Sequence, residues 1–86
     1  MAAKKPLRYR TLRAILKSYG IEEDASRGKG SERMFVGVVE GRLVHYPTKC
    51  HSENDEKPVP VINAIRRAFK LTVKDGIQDR DFYGSA

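Results

Sequence analysis

The sequence predicts an α+β domain with elements in the order α-β-β-β-α, a three-stranded antiparallel sheet carrying two helices on one face. Three observations predict it. Between Arg8 and Tyr19 the apolar residues Leu12, Ile15, Leu16 and Tyr19 recur at i, i+3, i+4 and i+7, the stripe of an amphipathic helix. Two β-rich runs, MFVGVV at 34–39 and RLVHY at 42–46, are separated only by Glu40-Gly41, the spacing of a tight hairpin. Residues 60–70 return to helical spacing, with Val61, Ile62, Ile65 and Phe69 on one side.

Taken in order, residues 1–7 read as a flexible basic N-terminal arm, 8–83 as a single domain and 84–86 as a C-terminal tail. Gly20 stops the first helix, on which Arg10, Arg13 and Lys17 share a second, solvated face. Residues 21–26 are short and acidic and suggest an edge strand around Ile21. RGKGS at 27–31 is a turn by its glycines. A two-residue hairpin sets Val39 opposite Arg42, Val36 opposite His45 and Phe35 opposite Tyr46. Because strand side chains alternate, Phe35, Val39, Val44 and Tyr46 share one face, expected to be the core. Glu32, Met34, Val36, Val38, Leu43 and His45 share the other.

Pro47 is expected to end the second hairpin strand, and residues 48–58 to form a polar loop. Pro60 suits the first turn of the second helix, from which Arg66, Arg67 and Lys70 point away from the apolar stripe. Thr72 is placed to cap a short turn. Phe82 and Tyr83 near the C-terminus are candidates to dock onto the sheet, since without docking such a tail frays.

The chain has 86 residues, enough for one small domain that buries roughly 60–65% of its unfolded surface, with little room for an enclosed active site. No apolar run is long enough to span a membrane, and the basic start MAAKKPLRYR is followed by no apolar signal segment. These features point to a soluble, cytoplasmic protein. The single cysteine, Cys50, is compatible with a reducing compartment. Seventeen Lys and Arg against eleven Asp and Glu leave a net charge of +6. The basic excess is concentrated in residues 1–20, 27–49 and 58–74, which suits a polyanion partner such as RNA.

The first candidate site is the GKGS stretch, where glycines let the backbone approach a phosphate closely. Arg27, Lys29 and Arg33 surround it with positive charge, beside Ser31. It lacks the G-x-x-x-x-G-K-[ST] spacing of a nucleotide-binding loop.

The helix YRTLRAILKSYGI, the GKGSERMF stretch, the hairpin ending HYPTKCH and the second helix VINAIRRAFKL together resemble the HicA-type (YcfA-like) toxin family. The resemblance runs from about Arg8 to Leu71. It implies a fold like the double-stranded-RNA-binding domain, ribosome-independent cleavage of messenger RNA (an mRNA interferase, which is an endoribonuclease), and inhibition by a HicB-like antitoxin. Members of the family typically carry a catalytic histidine after the glycine-serine pair. This chain carries Glu32 there.

That departure bears on catalysis. Cleavage through the ribose 2′-hydroxyl needs a base near the operating pH and a group that returns a proton, tasks suited to imidazole. A carboxylate among cations stays ionised, is a weak base and repels the phosphate. The alternative base-and-acid pair is Glu32 with His45, with Lys49 opposite Glu32 as a phosphate-binding cation. Arg66 and Arg67 on the second helix are further candidates for phosphate contact. His51 is a loop residue that could substitute. No cofactor is implied, and His45, Cys50 and His51 are poorly spaced for tetrahedral metal coordination.

The expectation is therefore an RNA-binding protein with mRNA-interferase ancestry. An active endoribonuclease using His45 with Glu32 is one alternative. The other is a non-enzymatic interaction module, whose apolar sheet face forms a homodimer or takes a HicB-like partner.

Overall fold

The computed structural model describes residues 4–24 and 32–84. The elements are β1 (Leu7–Arg8), α1 (Tyr9–Ser18), β2 (Glu22–Asp24), β3 (Glu32–Val39), β4 (Arg42–Lys49), β5 (Glu56–Lys57), α2 (Val59–Ala68), a 3₁₀ turn (Val73–Asp75) and α3 (Asp79–Tyr83). Strands β2, β3 and β4 form a three-stranded antiparallel sheet in that order, and β1 pairs with β5 in a separate two-residue ribbon. The class is α+β.

The first helix forms as its stripe predicts. Leu12, Ile15 and Leu16 are buried, and the helix ends at Ser18, with Gly20 closing the turn beyond it. Gly20 has a φ of 84° and donates its amide to the Lys17 carbonyl, while Ile21 bonds back to Leu16. This left-handed closure favours glycine. The second helix ends the same way with Lys70 in glycine's place at a φ of 56°, its amide on Arg67 and that of Leu71 on Arg66. Pro60 lies in the first turn of α2.

The hairpin turn has positive φ at both central residues, 51° at Glu40 and 79° at Gly41. That geometry matches the right-handed twist of the strands it joins. The register follows from it: Val39 opposes Arg42, Phe35 opposes Tyr46, Val36 opposes His45 and Glu32 opposes Lys49. Pro47 was expected to end β4, yet the strand continues to Lys49 with Pro47 opposite Met34. The reason lies in the alternation of the ladder. Counted from the turn, the pair at Pro47 exchanges no backbone hydrogen bonds, so the missing N–H faces away from β3 on an edge strand, where proline is tolerated.

The core lies on the Phe35 side of the sheet. Phe35 is fully buried and stacks on Tyr9 of α1, with ring centroids 5.8 Å apart. On the same face Gly37 lets Ile21 and Phe69, just beyond the end of α2, approach the sheet. A β-carbon there would stand 2.8 Å from Ile21 Cγ1 and 3.4 Å from the Phe69 ring. Both helices thus contribute to the cover over this face.

Several elements differ from expectation. Leu7, placed by the sequence in the N-terminal arm, is a buried core residue paired with Lys57. The segment expected as a polar loop over 48–58 contains the end of β4 and all of β5. Thr72 does cap the 3₁₀ turn, in a reciprocal box with Asp75. Phe82 and Tyr83 are buried, and Phe82 stacks on Tyr19 at 6.1 Å and lies under the Arg66 guanidinium at 4.6 Å. These contacts place the C-terminal segment against the helices.

Candidate nucleic-acid interface

Positively charged turns and strand ends are where a phosphate backbone is held, and the sequence-predicted residues divide by where the fold puts them. Arg27, Lys29 and Ser31 lie outside the described residues. Immediately after them, Glu32 opens β3 and faces Lys49, the last residue of β4. Both side chains are exposed. This acid-base couple stands at the sheet end adjoining the GKGS stretch.

His45 shares that exposed face and pairs with Val36. It stands four residues of strand from Lys49, roughly 13 Å at about 3.3 Å per residue. Strand side chains rise nearly perpendicular to the sheet. Glu32 and His45 therefore form an open pair with Met34 between them, not a hydrogen-bonded dyad. A substrate would have to bridge them.

Arg33 turns to the opposite face, across from Thr48. Its Nε lies 3.6 Å from Glu23 Oε2, and its Nη1 donates to the Glu32 carbonyl at 2.8 Å. The same Glu23 accepts from the Tyr9 hydroxyl and lies 3.4 Å from Arg13, which also donates to Glu53 Oε2 at 2.7 Å. Burial, followed by the bond to Glu23, pushes the Tyr9 phenol far above its ordinary value. Arg13, read as part of a solvated face, is instead one centre of an ion network joining α1, β2 and the 50–55 segment. This network is held by acids that are distant in sequence.

Arg66 and Arg67 are adjacent and have opposite roles. Arg66, expected to contact phosphate, is 2% exposed. It donates to the carbonyls of Leu71 (2.8 Å) and Ile77 (3.1 Å) and to Asp79 Oδ1 (2.8 Å), and it covers Phe82. Its charge is committed to fastening the C-terminal segment to α2. It is therefore a structural residue, because helical spacing turns it inward one position before Arg67. Arg67 is exposed on the rim of a cleft of about 290 Å³ that Lys4 and Lys74 also line. Sequence reasoning missed Lys4 and Lys74, which no local pattern links to Arg67. Only tertiary folding brings the three cations together.

His51 is exposed, and its backbone amide bonds Asp55. Cys50 points the other way: it is 4% exposed, donates to the Ser52 carbonyl at 3.3 Å, and burial pushes its thiol up. Among the described residues, no three or more His, Cys, Asp or Glu side chains are grouped to hold a metal ion. Nor is any described helix long and apolar enough to cross a membrane.

The chain matches no protein-family model, no curated protein and no solved structure.

Proposed function

We propose that this chain is an RNA-binding protein with mRNA-interferase ancestry, of a fold like the double-stranded-RNA-binding domain, in which the carboxylate at position 32 removes the cleavage step. The observation that carries the reading is the placement of Glu32. It stands opposite Lys49 on an exposed strand end beside the GKGS stretch, at the position where the HicA-type resemblance expects an imidazole. The cleavage such an imidazole would serve takes a proton from the ribose 2′-hydroxyl as its oxygen attacks the adjacent phosphorus, and returns one to the departing 5′-oxygen. A lone carboxylate is less suited than an imidazole to this pair of proton transfers. Lys49, Arg67, Arg27 and Lys29 supply salt-dependent affinity for phosphate. A HicB-like protein is the proposed partner, in keeping with the same resemblance.

One observation favours a second reading, an active endoribonuclease: His45 lies on the same face as Glu32. One experiment separates the two. Purified parent chain and its Glu32→His and His45→Ala variants are incubated with single- and double-stranded RNA, and binding is followed across a salt series. The first reading expects binding that weakens steeply with salt and cleavage gained only by Glu32→His. Cleavage by the parent that is lost in His45→Ala establishes the second. An absence of both cleavage and salt-sensitive binding overturns both.

A further inference from the structure

The cleft of about 290 Å³ beside α2 is built from stretches of chain that only the fold brings together. Lys4 comes from the segment before β1, Asn63, Arg66 and Arg67 from α2, and Val73 and Lys74 from the 3₁₀ turn. Arg66 and Asp79 form the floor: Arg66 is 2% exposed, and its guanidinium donates to Asp79 Oδ1 at 2.8 Å. Their charges cancel. Lys4, Arg67 and Lys74 are exposed, and among the described residues no salt bridge engages any of them.

Cations elsewhere in the domain are paired where an acid is near, Lys70 with Glu40 at 3.0 Å and Arg13 with Glu23 and Glu53. At the cleft the acid next to Lys74 in sequence, Asp75, is turned to Thr72 instead. It accepts from the Thr72 hydroxyl at 2.6 Å and from the Thr72 amide at 3.2 Å. The cleft therefore keeps three positive charges that its own Asp79, held by Arg66, does not neutralise. Like charges gathered in one concave site repel, and a bound anion relieves that repulsion.

We infer that this cleft binds the phosphate monoester of a nucleotide. A monoester carries about −1.5 to −2 charge at neutral pH, more than a backbone phosphodiester, and so answers three converging cations better. Arg67 presents a planar fork of N–H donors to two phosphate oxygens, while Lys4 and Lys74 act as point charges. The volume stands near the lower end of small-molecule sites, roughly 300–1,000 Å³. That leaves room beyond the phosphate. Val73, 50% exposed, gives the remainder of the ligand an apolar wall, and the Asn63 amide offers both donors and an acceptor to a sugar or base. A free nucleoside monophosphate and the 5′-phosphorylated end of an RNA carry the same chemistry. The inference shares Arg67 with the RNA reading but does not rest on it, since a free nucleotide satisfies the cleft by itself.

Isothermal titration calorimetry of the full chain with adenosine monophosphate tests it, with adenosine as the phosphate-free control. The monophosphate is expected to bind and adenosine not. Arg67→Ala and Lys74→Ala, both at exposed positions, are each expected to raise the Kd about tenfold or more with an unchanged far-UV circular dichroism spectrum. Lys17→Ala, which removes an equal charge from exposed α1 surface, is expected to change it less than about twofold. Short RNA with and without a 5′-phosphate then separates the sources. Competition by the phosphorylated form alone assigns the cleft to an RNA end, and competition by neither form assigns it to a free nucleotide. Absence of monophosphate binding, equal binding of adenosine, full affinity in Arg67→Ala and Lys74→Ala, an equal loss in Lys17→Ala, or equal competition by both RNA forms overturns the inference. RNA binding without monophosphate binding leaves the RNA reading standing alone, and the converse leaves this inference standing alone.

Discussion

The two faces of the β2-β3-β4 sheet are built from neighbouring residues of the same strands and end in opposite environments. Phe35 is fully buried against Tyr9, while Val38, three residues on, is 69% exposed. Both are strand-favouring apolar residues, so hydrophobicity alone does not sort them. What sorts them is cover. Phe35, Gly37 and Val39 look towards the side on which Tyr9, Ile21 and Phe69 pack. Val36 and Val38 look towards a side that no element of the described chain overlies. Burial in a small sheet is thus decided by where the helices lie.

That contrast can be broken from the inside first. Phe35→Ala removes a ring from a closed, stacked site and is expected to destabilise the fold by about 3–5 kcal/mol, read as a large fall in the urea midpoint. Gly37→Ala tests the closeness of the cover. The added methyl collides with Ile21, and a loss of about 1–3 kcal/mol is expected by the same measurement. The smallest effect belongs to the open face. Val38→Thr should shift stability by less than about 0.5 kcal/mol. A loss comparable to that of Phe35→Ala would mean that the two faces are equally covered in the single chain, and the contrast would fail.

Much of this architecture is legible in local patterns. The helix stripe at Leu12, Ile15 and Leu16 and the Glu40-Gly41 turn carry period and register within a few residues, and the pairing of Glu32 with Lys49 follows by counting. The core face was also identifiable, because Phe35 and Tyr46 are its bulky members. The strand at Pro47 was misjudged because an edge strand needs only every second amide for its partner, and the sequence does not mark which strands are edges.

The charged residues were the least legible. Arg66 and Arg67 are chemically identical and adjacent, yet one fastens Asp79 and two carbonyls while the other faces a cleft with Lys4 and Lys74. The partners that decide these roles lie up to 63 residues away, a separation read from Lys4 to Arg67. No short window of sequence contains them all. For the same reason Arg13 was read as a solvated side chain, although Glu23 and Glu53 engage it.

Pro47 has one more consequence. Strands β2 and β4 border the sheet, and a bordering strand can recruit an identical strand, then another, into an assembly with no natural end. The outward row of β4 lacks an amide at Pro47, so a ladder added there is interrupted midway. Proline in that position hinders open-ended growth along β4.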